Sequence, residues 1–119
     1  MQAMVAKVQT ISLEGIQASS VEVEVQIAPG LSSFQVVGLP DSAVKESKDR
    51  IRAAFYSCGV ALPAKRITVN LIPAHAHKSG SHYDFAIAVG LLTALKIVPL
   101  DMARQALYMG ELGLDGTLH

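Results

Sequence analysis

The amino-acid sequence predicts an α+β domain in which helices cover one face of a mixed β-sheet. Segments 21–27 and 66–73 alternate apolar and polar residues with a period of two, which is typical of strands with one solvent-exposed face. Segments 41–58 and 85–97 have the composition and spacing of helices. Because strands and helices do not alternate regularly, the sequence favours a layered α+β architecture over a parallel α/β sheet.

The predicted order of elements is β-β-β-α-β-α-β-β. The first strand is expected at 4–13, and the second, VEVEVQI, directs four apolar side chains to one face: Val21, Val23, Val25 and Ile27. APG at 28–30 predicts a turn, so SFQVVGL at 33–39 is expected to be the hairpin partner of the second strand. RITVNLIP predicts the next strand, and 105–118 predicts a strand, a glycine turn and a final strand.

The first helix is predicted over 41–58, with Asp41 as its N-cap and Gly59 just after its end. Glu46 and Arg50 stand in the favourable order for an i,i+4 ion pair. An apolar stripe is expected to pack inward, with Cys58 as a small buried hydrophobe: Val44, Ile51, Ala54, Phe55 and Cys58.

The second helix is predicted to begin after Asp84, which can serve as its N-cap. Its sequence, FAIAVGLLTALKI, is apolar on nearly every side, so we expect a central buried helix.

Composition limits the function classes that the chain can serve. Its 119 residues are half hydrophobic and carry no net charge, so the chain can bury a core and is not built mainly to neutralise phosphates. A single cysteine excludes an internal disulfide, and the longest apolar run, residues 85–95, is far short of the roughly 20 residues of a membrane span. We therefore expect a cytoplasmic domain without membrane contact.

The stretch PAHAHKSGSHYD concentrates the residues that could carry chemistry. His75, His77 and His82 could meet a metal ion, although the stretch has no cysteine and its one carboxylate, Asp84, suits a helix cap better. The alternative is that these histidines are solvated loop residues, and the missing ligands favour that alternative.

Two further hypotheses concern nucleophilic and basic side chains. Ser81 or Ser79 could act as a nucleophile with Lys78 as its base, whereas serine-rich loops before helices are also ordinary capping sequence. Arg50, Arg52, Lys65 and Arg66 could form a basic patch for DNA, but interleaved acidic residues favour a solvated face. The chain lacks a GxxxxGK[ST] phosphate loop, so we do not expect it to bind ATP by itself.

Four motifs occur together in this order: VVGLPDSAVKES, RITVNLIPA, KSGSHYDFAIAVGLLTAL and GELGLDG. Together they resemble the N-terminal domain of the magnesium-chelatase-like AAA+ ATPases of bacteria, the ComM/YifB family, and the resemblance covers nearly the whole chain.

The resemblance implies a fold like ribosomal protein S5 domain 2 and the proteolytic domain of Lon. It also implies that an AAA+ ATPase module follows, and that this absent module, rather than the present chain, binds ATP and Mg²⁺. The implied partners are that module, neighbouring subunits of a homo-oligomeric ring, and DNA, through a role in branch migration during natural transformation.

KSGSHYDFAIA resembles the Lon-type loop in which the catalytic serine follows a Lys-Asp-Gly-Pro run. Lys78 and Gly80 match that run, whereas Ser81 falls at the position of the proline and His82 at that of the serine. The resemblance therefore implies a loop that has lost its catalytic groups, and a module that is not an enzyme.

We expect one domain over 1–119, and the end of the chain inside a strand pattern indicates a truncated piece of a longer protein. The candidate binding or interface residues are polar members of the shared motifs and their neighbours: Asp41, Ser42, Lys45, Glu46, Arg50, Arg52, Lys65, Arg66, Asn70, Lys78, Gly80, Ser81 and Asp84.

Overall fold

The computed structural model describes residues 4–14, 17–73 and 81–119. Its elements are β1 (Met4–Glu14), β2 (Gln17–Ala28), β3 (Ser33–Val37), α1 (Asp41–Ser57), β4 (Arg66–Ile72), α2 (Asp84–Ala94) and α3 (Leu100–Ala103). The strands form a mixed four-stranded sheet in the order β1-β2-β4-β3. The predicted α+β architecture, with helices packed on one face of a mixed sheet, is confirmed at this level.

The hairpin prediction for β3 was wrong. β2 pairs along nearly its whole length with β1, from Met4 opposite Ile27 to Glu14 opposite Gln17, and its other edge pairs with β4. With both edges of β2 occupied, β3 lies at the far edge of the sheet, parallel to β4. Parallel neighbours need a long crossover, and α1 provides it between β3 and β4.

The core lies between the inner face of the sheet and the two long helices. The inward residues of β2 and β4 are fully or almost fully buried: Val21, Val23, Val25, Ile27, Ile67, Val69 and Leu71. α2 packs against β1 and β2, and at Gly90 an added Cβ would lie 2.6 Å from Cγ2 of Val25. Glycine at this position therefore permits the close contact of helix and sheet. The prediction of a buried central helix is confirmed.

The predicted aspartate caps of both helices were wrong. Asp41 is the first residue of α1, whose N-cap is Pro40, and Asp84 is the first residue of α2, whose N-cap is Tyr83; neither cap position makes a side-chain hydrogen bond. Asp41 thus contributes only a negative charge at the positive end of the helix dipole. Asp84 is turned inward to other donors, which are described below.

The end of α1 is partly as predicted. Gly59 has a left-handed φ of +74°, which suits the residue after a helix end. Cys58, however, is exposed, so its expected packing was wrong, and the buried stripe includes Ser47 beside Ile51, Ala54 and Phe55. Helical spacing alone did not anticipate this polar member of the stripe.

The C-terminal segments also differ from the prediction. α2 ends at Ala94, and the short α3 was not anticipated. The two strands predicted within 105–118 are reduced to isolated bridges, Gln9 with Leu107 and Leu112 with Leu118. Tertiary hydrogen bonds to β1 and α2, rather than a continuous ladder, hold this segment.

Among the described residues, no helix has both the length and the apolar character needed to cross a membrane.

Candidate functional site

Asp84 is the centre of a buried polar network at the N-terminal end of α2. Only 1% of its surface is exposed, and its two oxygens accept four hydrogen bonds. Ser47 Oγ donates to Oδ1 at 2.7 Å, while Arg50 donates through Nε to Oδ2 at 2.6 Å and through Nη2 to Oδ1 at 3.1 Å. The backbone N–H of Leu112 completes the set at 3.2 Å.

The charge of Arg50 is stabilised by this network. Its hydrogen bonds to Asp84 raise the pKa of the guanidinium above its ordinary value, although burial opposes the rise, and the charges of Asp84, Glu111 and Glu46 add to it. The predicted ion pair with Glu46 is present only at 4.0 Å, whereas the pair with Asp84 is at 2.6 Å. Arg50 is therefore mainly the bidentate partner of a buried carboxylate.

Protein carbonyls accept the N–H groups of Asp84 and Phe85, the first two residues of α2. The N–H of Phe85 donates to the carbonyl of Gly110 at 3.1 Å, and the N–H of Gly110 donates to the carbonyl of His82 at 2.8 Å. The N–H of Asp84 donates to the carbonyl of Ser81 at 3.2 Å. An oxyanion would need these first N–H groups to be available, and here protein carbonyls occupy them.

A surface pocket of about 280 Å³ lies beside the network, between the start of α1, Ser81 and the segment that follows Gly110. It brings together four of the predicted residues, Ser42, Glu46, Arg50 and Ser81, with Ala43 and Glu111. Sequence reasoning missed Glu111 and Ser47. Glu111 belongs to GELGLDG, and Ser47 interrupts the apolar stripe of α1 at helical spacing, which is the signal that could have identified a buried hydrogen-bonding residue.

The remaining cations of α1 have separate local contacts. Lys45 pairs with Asp49 at 3.1 Å on the exposed face of the helix. The guanidinium of Arg52 lies 5.4 Å from the ring centroid of Phe34, a distance typical of a cation–π contact. These contacts join α1 to itself and to β3.

The structure distributes the rest of the predicted set over the sheet. Arg66 begins β4, and its guanidinium lies against Gly30, while the carbonyl of Lys65 accepts the N–H of Ser33 at 3.2 Å. Asn70 lies on the uncovered face of the sheet, in a shallow pocket of about 340 Å³. The four cations of the DNA hypothesis are thus divided between the Asp84 network, the ring of Phe34 and the start of β4.

The histidine hypothesis can be examined at one position. Nε2 of His82 lies 3.2 Å from the carbonyl oxygen of Ile11, and its ring lies against that of Tyr83. His75, His77, Lys78, Ser79 and Gly80 lie outside the described residues. Within residues 4–14, 17–73 and 81–119, no group of three or more His, Cys, Asp or Glu side chains could hold a metal ion.

Comparison with known proteins identifies relatives of this domain. The family model for subunit ChlI of magnesium chelatase matches residues 23–119. The uncharacterized protein YifB of Escherichia coli is 41% identical over 111 residues, which cover 93% of this chain and 22% of that protein. An uncharacterized protein of Mycobacterium tuberculosis is 42% identical over 109 residues, 92% of this chain and 22% of its own length.

A third relative has a name that points to a process. The competence protein ComM of Haemophilus influenzae is 42% identical over 104 residues, 87% of this chain and 20% of that protein. The chain therefore spans about one fifth of the length of the curated relatives that it matches. It belongs to the family of magnesium chelatase subunit ChlI, as a domain like the N-terminal domain of YifB and ComM.

Proposed function

We propose that this chain is the noncatalytic N-terminal module of a magnesium-chelatase-like AAA+ ATPase, where it aids assembly of the ATPase ring or positions DNA or a protein partner. The observation that carries this proposal is the complete engagement of Asp84. A carboxylate that accepts four hydrogen bonds from Ser47, Arg50 and Leu112 is held as a structural group. It has no lone pair left in a suitable position to take up a substrate proton.

The surroundings of Ser81 also support a role without catalysis. Ser81 shares its pocket with Arg50, Glu46 and Glu111, and among the described residues that line this pocket there is no histidine or lysine to serve as its base. The N–H of Phe85, which an oxyanion would use, already donates to Gly110. A serine nucleophile needs both a base and a site for the developing negative charge.

The family supports the wider proposal. The fold is proposed to be that of ribosomal protein S5 domain 2 and of the proteolytic domain of Lon. ATP and Mg²⁺ would be bound by an ATPase module in the same protein, and the ring would act in the cytoplasm. The name of the relative in Haemophilus influenzae, a competence protein, supports a role in DNA processing such as branch migration during transformation.

The test compares the full-length protein with a version that lacks residues 1–119. We expect the shortened protein to retain ATP hydrolysis. It should lose either the assembled ring, measured as particle mass by mass photometry, or ATP-dependent branch migration of a synthetic junction. Full-length protein carrying Gln35→Ala serves as the control, because this residue is exposed on β3 and is not a candidate interface residue. Unchanged ring size and unchanged branch migration in the shortened protein would refute the proposal.

The noncatalytic part of the proposal has its own test. The folded chain is treated with a fluorophosphonate probe, and Ser81→Ala serves as the matched variant. We expect no labelling that depends on Ser81. Stoichiometric labelling that the substitution abolishes would identify a peptidase-like serine instead.

A further inference from the structure

A groove between β1 and the C-terminal end of α2 differs from the Asp84 region in its chemistry. The larger of two adjoining cavities, about 570 Å³, is lined by Met4, Val5, Thr93, Ala94, Lys96, Val98, Pro99 and Leu100. The smaller, about 230 Å³, is lined by Val5, Ala6, Lys7, Leu100 and Arg104. Because Val5 and Leu100 line both cavities, we treat them as one feature, the β1–α3 groove.

The groove exposes apolar side chains that a partner could cover. Val5 is 49% exposed and Leu100 40%. Ile97 and Met102, close in the chain to the lining residues Lys96, Val98 and Leu100, are more exposed still, at 56% and 64%. Isolated exposed apolar residues are ordinary on protein surfaces, but a group around a concave feature is typical of a binding surface.

The rim of the groove is positively charged. Lys7, Lys96 and Arg104 line its two cavities, whereas no carboxylate of the described residues does. Lys7 is 3.7 Å from Glu24 on the neighbouring strand, so its charge is partly compensated. In the part of the chain that the structure describes, neither Lys96 nor Arg104 is within the 4.0 Å that defines an ion pair with a carboxylate. An apolar floor with two unpaired cations at its rim is complementary to an amphipathic segment with acidic residues on its polar side.

We propose that the β1–α3 groove binds an amphipathic, acidic helix of the ATPase module. This inference rests on the proposed function, since the module is the partner that the proposal places in the same protein. The matched relatives are about five times as long as the region they share with this chain, so a domain of this kind adjoins much additional protein in them. Apolar side chains at helical spacing would enter the groove, and their acidic neighbours would pair with Lys96 and Arg104.

The first test uses the chain itself with two peptide probes. Both probes are helices of about 18 residues, long enough to form in solution, with the same leucine stripe and either glutamate or lysine at every polar position. We expect the Leu/Glu peptide to bind and to shift the amide resonances of residues 96–104 in ¹H–¹⁵N spectra, and the Leu/Lys peptide not to bind. Equal binding of both peptides, no binding of either, or shifts confined to other surfaces would overturn the proposal.

A charge variant distinguishes ion pairing at the rim of the groove from nonspecific hydrophobic binding of the peptide. Lys96→Asn combined with Arg104→Glu should weaken binding of the Leu/Glu peptide by about tenfold, since two exposed ion pairs are lost and one charge is reversed. Asparagine is chosen because Lys96 has a left-handed φ of +63°, which asparagine tolerates. The control Lys48→Gln removes a cation from α1 away from the groove and should leave the affinity unchanged. The ¹H–¹⁵N spectrum of each variant should remain that of the folded chain.

The source of the helix is tested in the full-length protein. A photo-crosslinking residue at Met102 should join residues 97–104 to an acidic segment of the ATPase module, whereas the same residue at Leu31, which is 87% exposed, should not. A cross-link to a second copy of residues 1–119, or no cross-link, would overturn the assignment. If the cross-link fails while ring assembly or branch migration still requires residues 1–119, only the groove is refuted. If neither requires these residues, the proposed function is refuted.

Discussion

Charged side chains are buried and hydrogen-bonded at one end of α2 and exposed to solvent at the other. At the N-terminal end, Asp84 is buried and receives hydrogen bonds from α1 and from Leu112. At the C-terminal end, an apolar groove opens to solvent, and Lys96 and Arg104 stand at its rim. The comparison teaches that Asp84 and Arg50, two candidate site residues of the sequence, form a structural junction, while an inconspicuous segment, IVPLDMAR, contributes to the groove that we propose as a binding surface.

The largest expected effect is that of Asp84→Ala. It would leave Arg50 partly buried without its bidentate partner, and removing one member of a buried pair costs about 3–5 kcal/mol of unfolding free energy. Urea denaturation measures the loss, and Asp49→Ala, which removes an exposed carboxylate paired with Lys45, should cost less than about 1 kcal/mol. Similar losses for the two variants would show that the Asp84 network is not a junction.

A smaller effect is expected for Ser47→Ala. The hydroxyl donates to the buried carboxylate of Asp84 at 2.7 Å, and a hydrogen bond to a charged group contributes about 1.5–3 kcal/mol. Ser42→Ala is the matched control, because Ser42 is exposed at the start of the same helix. The prediction fails if the two serine variants have the same urea midpoint.

Charge changes at the C-terminal end of α2 should have almost no effect on the unfolding free energy of the unliganded chain. Arg104 is exposed, so Arg104→Glu should alter the unfolding free energy by no more than about 0.5 kcal/mol. The measurement is the same urea titration. A loss as large as that of Ser47→Ala would mean that the rim of the groove has a structural role.

The smallest predicted effect is a dependence on pH in the segment after Gly110. Hydrogen bonds from Thr117 lower the pKa of Asp115 below its ordinary value of 3.8, and the N–H of Thr117 donates to Oδ1 at 2.9 Å. Because the folded pKa is the lower one, the turn is favoured above the ordinary pKa and loses this contribution as pH falls through the folded pKa. The amide resonance of Thr117 should follow this titration, and Asp115→Asn should abolish it.

The sequence anticipated the secondary structure best where one periodicity dominates a segment. Alternation in VEVEVQI located β2, and the spacing and Gly59 located α1 nearly to its ends. It failed for β3 because alternation shows which side chains face inward and does not show which strand lies alongside. It failed for Asp84 because a carboxylate at a helix start is usually a cap, and only the position of α1 supplied stronger donors.

The candidate site was anticipated in part. Ser42, Glu46, Arg50 and Ser81 were named from the sequence, and the structure brings them to one pocket. Glu111 and Ser47 were missed because they reach the site only when α1 and the segment after Gly110 pack against the same end of α2. The engagement of Arg50 by Asp84 and of Arg52 by the ring of Phe34 likewise depends on packing, since both partners are distant in sequence.

By itself, the sequence determined the type and approximate extent of the main elements, because hydrophobic period and backbone preference act within one segment. It also carried the motifs by which the family is recognised. Only the tertiary structure decided the strand order, the inward turn of Asp84 and the formation of the β1–α3 groove. Each depends on contacts between residues far apart in the chain, and the free energy of those contacts exceeds the local preferences that a single segment reveals.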